Sequence, residues 1–345
     1  MLFHCVPCCG RAPLPRAAAA RAGRNVGHFS SSALAQFLAG EPDMMQADFD
    51  AAKAEFRAMR QAHVRSLPSL STADADWLVS RGKPPPPTPS LLAYDRERGG
   101  TFAVGGATSS GVAIGANAEA VDPPPAVTFA EGDMITHAYD IARLVGGDSS
   151  SVAVLNMANA FSPGGSFLGG ARAQEEQLCH RSTLFPRPKL HKFFNEDLYI
   201  ADCTCLVTRN VEIMRGGSDV AFEEVDDPAA LTVLSVAARA YANQHQAELD
   251  RRLPDFMIET WQAVLSAANA AGASHLVLGA LGCGAFNNPP ATVGHALATA
   301  LQRSSVSPAL QDIRVLIMED HNSNGQNLPR FTAGFRAGDG GGAAL

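Results

Sequence analysis

The chain has 345 residues, 46% hydrophobic and 18% charged, with a formal charge of −7. That length suits one large domain or two ordinary ones, and a sizeable core is within reach. The negative balance argues against direct DNA binding, because contact with a phosphate backbone calls for concentrated positive charge, but it leaves room for a small phosphorylated ligand held by backbone amides. No apolar run approaches the length of a transmembrane helix, so no membrane partner is expected. The seven cysteines, Cys5, Cys8, Cys9, Cys179, Cys203, Cys205 and Cys283, are odd in number and scattered. They make no disulfide framework, and none has convincing zinc spacing. Neither a metal nor a cofactor is expected.

Residues 1–40 carry four arginines, many alanines and no acidic residue, the composition of an organelle transit leader, with the mitochondrion ahead of the plastid. Residues 41–120 read as a helical extension with linkers. Met45, Phe49, Ala52, Phe56 and Met59 recur at helical steps, with Asp48 and Ser71 as candidate caps. Pro84, Pro85, Pro86 and Pro87, then Pro89, make a stiff extended connector. Residues 99–115, rich in Gly, Ser and Thr, read as a mobile loop.

The main domain is expected over residues 121–335, with a flexible tail at 336–345. Residues 126–129 read as a strand, 134–144 as a helix and 152–155 as a buried strand. Short strands are predicted at 205–208 and 211–214 around Arg209 and Asn210, and another at 231–236. Residues 256–271 form an amphipathic helix with Ile258, Trp261, Val264, Leu265 and Ala268 on its apolar stripe. A buried strand at 275–281 runs into Gly282-Cys283-Gly284-Ala285-Phe286. A helix at 290–301 has Pro290 in its first turn, and 313–318 is a last strand. Strands alternating with helices imply an α/β fold with a mostly parallel sheet covered on both faces. Ligands in such sheets sit beyond the strand carboxyl ends.

The stretch at 152–185 concentrates the chemistry. Its strand leads into a loop with Pro163, Gly164, Gly165, Gly169 and Gly170, and then into a helix predicted over 173–185 that begins Gln174-Glu175-Glu176. A glycine-rich turn opening a helix is a ready anion cradle. Two carboxylates at the same helix start put an acid/base site against that cradle. His180, four residues beyond Glu176, reads as a solvated or structural histidine, Asn156 as a strand-end hydrogen bonder, and Cys283 as a small packed side chain.

Asn159, Pro163-Gly164-Gly165, Phe167-Leu168-Gly169-Gly170-Ala171 and Ala173-Gln174-Glu175-Glu176 resemble the signature of microbial-type poly(ADP-ribose) glycohydrolases, a glycine triplet followed a short loop later by Gln-Glu-Glu. Leu184-Phe185-Pro186, residues 211–215, residues 276–287 and residues 320–331 resemble further family segments in family order, so the likeness spans roughly 124–335. It implies a macrodomain, a three-layer α/β/α sandwich with a mixed, mostly parallel sheet, here with an N-terminal helical extension. By resemblance, Gly282, Cys283, Gly284, Ala285 and Phe286 hold a diphosphate, with Phe286 near the distal ribose or adenine. Gly164, Gly165, Ser166 and Gln174 also line the substrate site. Asn159 bonds the ribose whose bond is cleaved, Glu176 is the catalytic acid, and Glu175 anchors a ribose hydroxyl.

Cleaving a ribose–ribose O-glycosidic bond requires protonation of the leaving oxygen and then activation of a water. One carboxyl can do both in turn. Carboxylates at i and i+1 of a helix diverge by about 100°, so the pair divides labour rather than flanking one bond. A helix N-terminus favours an ionised carboxylate, whereas bound phosphates act in the opposite sense.

Ser166 stands where the family has its third glycine, and a serine adopts positive φ only at a cost. Residues 231–243 also lack the Pro-Asn expected after their strand. The resemblance implies poly(ADP-ribose) or an ADP-ribosylated protein as partner, and a monomer. The alternatives are a non-catalytic ADP-ribose reader and a mono-ADP-ribosyl hydrolase.

Overall fold

A computed structural model describes residues 46–66, 101–105, 125–146, 151–185, 200, 202–220, 222–240, 246–319, 323 and 325–339. The leader, the proline run, Ser71 and most of the extreme C-terminal tail lie outside the described residues, as does most of the Gly/Ser-rich stretch.

The described chain begins with α1 (Gln46–Ser66), which starts just ahead of Asp48 and buries Ala52 and Phe56 as the periodicity required. The expected loop at 99–115 contains a strand instead, β1 (Thr101–Gly105). Its Thr-Phe-Ala-Val run suits a sheet edge, and it pairs antiparallel with residues 204–208, Thr101 facing Thr208. Then follow β2 (Ala126–Glu131), α2 (Met134–Val145), β3 (Val152–Ala158), α3 (Gln174–Arg181), β4 (Thr204–Arg215) and β5 (Glu224–Ala237). The chain continues through α4 (Gln246–Ala271), β6 (His275–Leu278), α5 (Pro290–Arg303), β7 (Asp312–Ile317) and α6 (Asn327–Gly338).

The seven strands form one sheet in the order β1-β4-β5-β3-β6-β7-β2. The run β5-β3-β6-β7-β2 is parallel, while β1, β4 and β5 are joined antiparallel. This is the mixed, mostly parallel sheet expected. Helices cover both faces. On one side α2 and α3 are tied together by Arg181, which pairs with Asp133 and donates to Thr136 Oγ1 at 2.7 Å. On the other side Trp261 of α4 donates to Val293 O of α5 at 3.2 Å, and Phe335 of α6 packs edge-on against Phe129 of β2. No described helix is long and apolar enough to cross a membrane.

Three boundaries depart from the local pattern. The helix predicted over 173–185 stops at Arg181, because Ser182 turns extended and bridges to Ile213 of β4. The two short strands around Arg209 and Asn210 are one strand, interrupted by a bulge where Asn210 takes φ 54°. Arg209 uses this kink to reach Ala270 O and Ala271 O at the end of α4, the helix terminus that favours a cation. The strand predicted at 275–281 ends at Leu278, and residues 279–289 form a turn that closes on itself.

Candidate active site

β3 and β6 are adjacent and parallel, with Ala153 opposite Leu276. The glycine loop after β3 and the loop after β6 therefore emerge at the same end of the sheet, where α/β folds bind ligands.

The first loop is built around its two glutamates. Glu175 and Glu176 are both buried. The two Glu175 oxygens accept from Gly164 N (2.9 Å) and Asn159 N (2.8 Å). Glu176 Oε1 accepts from Ser166 N at 2.9 Å, and its other oxygen has no partner among the described residues. Other loop amides bond within the loop, Gly165 N to Ser162 O, Phe167 N to Gly164 O, Gly170 N to Phe167 O, and Gly169 N and Ala171 N to Ser166 O. Most amides of the glycine turn expected as an anion cradle are thus given to carboxylates and to the loop itself, so it works as a clamp on Glu175 and Glu176.

Gly165 shows why the clamp needs glycine. Its φ is 54°, and a Cβ there would run into the Glu176 carboxylate. Ser166, by contrast, has φ −94°, outside the left-handed region that favours glycine. Gly164 and Gly165 carry the positive φ angles, so the loop does not require a glycine at position 166 for its φ.

Burial pushes the Glu175 pKa up to about 8, with Glu176 adding like-charge repulsion and the bonds from Asn159 and Gly164 opposing. Gln174 uses its side-chain amide on the backbone of β3, accepting from Met157 N and donating to Leu155 O, both at 2.9 Å. It fastens the start of α3 to the strand that leads into the site. The Asn159 side chain accepts from Phe161 N and Ser162 N, setting the turn out of β3. Asn156 is buried and donates to Ser235 Oγ on β5, as a strand-end hydrogen bonder does.

The second loop has the opposite character. Cys283 N bonds to Ala280 O, Asn287 N to Gly284 O and Asn288 N to Gly282 O. The N–H groups of Gly282, Gly284, Ala285 and Phe286 have no acceptor among the described residues. Gly282 has φ 73°, and a Cβ there would collide with the Asn288 amide. Asn288 in turn donates to Arg239 O just past β5, which ties the cradle to the neighbouring strand end. Phe286 is half-buried against the core. The Cys283 thiol is buried, and burial pushes its pKa up to about 12, so it is a packed side chain and no nucleophile. Among the described residues no cluster of His, Cys, Asp and Glu is arranged to hold a metal ion.

With this geometry in view, comparison with known proteins becomes specific. The family model described as microbial-type PARG, catalytic domain, matches residues 124–208, the segment that carries the carboxylate clamp. The chain resembles the microbial-type poly(ADP-ribose) glycohydrolases in sequence and in fold. Poly(ADP-ribose) glycohydrolase from Deinococcus radiodurans, solved in complex with ADP-ribose, is similar at 26% identity and TM-score 0.50, over 64% of this chain and 86% of that one. The Thermomonospora curvata enzyme bound to the inhibitor ADP-HPD is similar in fold at TM-score 0.53 and 23% identity, over 82% of this chain and 99% of that one. No curated protein sequence matches the chain.

Several residues that build the site were missed by sequence reasoning. Arg57, Arg60 and His63 of α1 contact the clamp directly. The pair of buried Arg181 with half-buried Asp133 fixes the far end of α3. Burial works against the Asp133 carboxylate, but Arg181 and the hydroxyl of Thr136 outweigh it and hold its pKa below the ordinary value. His180, expected to be solvated or structural, is buried among Phe56, Phe167, Phe222 and His63. That burial pushes its pKa down to about 2, so it is a neutral, structural group.

Proposed function

We propose that this protein is a poly(ADP-ribose) glycohydrolase that hydrolyses ribose–ribose O-glycosidic bonds and releases ADP-ribose, with Glu176 as general acid and then general base. The observation that carries the reading is the unequal state of the two carboxylates. Glu175 is held at both oxygens, while Glu176 is held at one oxygen and, among the described residues, keeps the other open. A proton donor needs that open oxygen.

The diphosphate rests on the unclaimed N–H groups of residues 282–286, with Phe286 at the ribose or adenine end. Glu176 gives its proton to the ribose oxygen that leaves. The anomeric carbon passes through an oxocarbenium-like transition state, and the same carboxylate then takes a proton from the attacking water. Burial raises the Glu175 pKa to about 8, which lessens the negative charge it places beside the diphosphate. Its work is to hold the loop that presents Glu176. Asn159 lies at the turn where the scissile ribose would sit. The reader alternative rested on Ser166, and the φ of −94° at that residue, which needs no glycine, weighs against it.

The test is release of free ADP-ribose from labelled poly(ADP-ribose) by the wild type and by Glu176→Gln. The variant is expected to lose about 1,000-fold in turnover while still binding ADP-ribose. Turnover that survives the substitution contradicts the mechanism, and wild-type binding without turnover selects the reader. Residues 1–40 are proposed as a mitochondrial leader. A fluorescent fusion of that segment that stays out of mitochondria removes the proposal.

A further inference from the structure

We propose that Arg60 is a positioning residue for Glu176, and that α1 is thereby part of the catalytic unit rather than an appendage. The inference rests on the glycohydrolase reading above. It starts from α1, which lies outside the family-model match and more than 100 positions away in sequence from the loop it touches.

Arg60 Nη1 donates to Phe167 O at 2.7 Å and to Ala171 O at 2.5 Å. Arg57 Nε donates to Gly169 O at 2.8 Å. His63 Nε2 bridges Cys179 O and Ser182 O at the far end of α3. One face of α1 thus grips both the loop over the glutamates and the helix that carries them. The grip is transmitted directly. Residues 166–171 close through Ser166 O, which accepts from Gly169 and Ala171, and the N–H of the same Ser166 holds Glu176.

The character of Arg60 argues that it does more than fill space. It is wholly buried between the rings of Phe56 and Phe167, 4.2 and 4.8 Å from their centroids. It has no carboxylate salt bridge among the described residues, and its Nε and Nη2 are buried without partners. A guanidinium buried so incompletely satisfied is costly, and an apolar residue of similar volume usually serves packing as well or better. What methionine lacks is the two bonds to the loop carbonyls, which fix the loop whose Ser166 N–H holds Glu176.

The experiment compares wild type, Arg60→Met, Arg60→Lys and Arg57→Ala for kcat and KM on poly(ADP-ribose), ADP-ribose affinity and melting temperature. Arg60→Met is expected to lower kcat by at least about tenfold. Its KM and ADP-ribose affinity should stay within about threefold of wild type, and its melting temperature should fall by no more than about 4 °C. Arg60→Lys, which keeps charge and donors, should recover part of the loss. Arg57→Ala changes an exposed side chain and should cost kcat about twofold. A kcat equal to wild type in Arg60→Met overturns the proposal, as does a loss of affinity and melting temperature in step with kcat. Should Arg60→Met not fold, an unchanged kcat in Arg57→Ala overturns it. Absence of turnover in the wild type overturns the glycohydrolase reading and this inference together. Wild-type turnover matched by Arg60→Met overturns this inference alone.

Discussion

The two glycine-rich loops leave adjacent parallel strands and look alike as sequence, but they spend their backbone amides in opposite ways. The loop after β3 gives amides to Glu175, Glu176 and its own carbonyls. Among the described residues, the loop after β6 leaves the amides of Gly282, Gly284, Ala285 and Phe286 unclaimed. A loop whose donors are already paired cannot bind an anion without breaking those bonds, each of which is costly to lose when buried. The first loop is therefore built to hold carboxylates at a fixed place, and the second to receive an anion. What separates them is the destination of each N–H, which glycine content alone does not report.

The sharpest way to break this division is Gly165→Ala. Its Cβ meets the Glu176 carboxylate, and its φ is left-handed, so we expect about 100-fold loss of kcat. Binding of ADP-ribose, measured by calorimetry, should change little. Gly282→Ala should do the reverse. Collision with Asn288 and a left-handed φ distort the cradle, and ADP-ribose affinity should fall at least about tenfold, a loss of about 1.4 kcal/mol. If both variants lose affinity equally, the division of labour is wrong.

Glu175→Gln probes the clamp by stability. The amide offers an N–H where the carboxylate accepted one, so unfolding free energy should drop by about 1–3 kcal/mol. The pH dependence has a definite sign. Because the folded pKa is raised from 4.5 to about 8, the folded chain binds the proton more tightly. Glu175 then contributes its full stability below about pH 4.5 and loses it as pH rises through about 8. Melting temperatures from pH 4 to 9 should show wild type declining relative to the glutamine variant across that window. The smallest effect is expected for Ser166→Gly, within about 0.5 kcal/mol of wild-type stability and with near-unchanged turnover, since Ser166 has ordinary φ.

Much of the fold was legible because local periodicity carries it. The buried runs at β3, β6 and β7 and the apolar stripe of α4 follow from side-chain spacing alone. The misplaced boundaries have non-local causes. β1 forms because β4 offers it an edge, and α3 stops early because Ser182 pairs with Ile213. At the site, the Gln-Glu-Glu motif and both loops were visible, but the destinations of their amides were not. α1 was visible as a helix, while its purpose was hidden by distance along the chain. One signal was available: Arg60 and His63 fall on the same stripe as Ala52 and Phe56, where a purely structural helix would carry apolar residues.

Amide hydrogen exchange of the wild type, with and without ADP-ribose, tests the division between the loops most directly. The amides of Asn159, Gly164 and Ser166 should be protected in the free protein and change little on binding. Those of Gly282, Gly284, Ala285 and Phe286 should exchange freely and become protected when ADP-ribose is added. Protection that appears instead at Gly164 and Ser166, with residues 282–286 unchanged, would contradict the account.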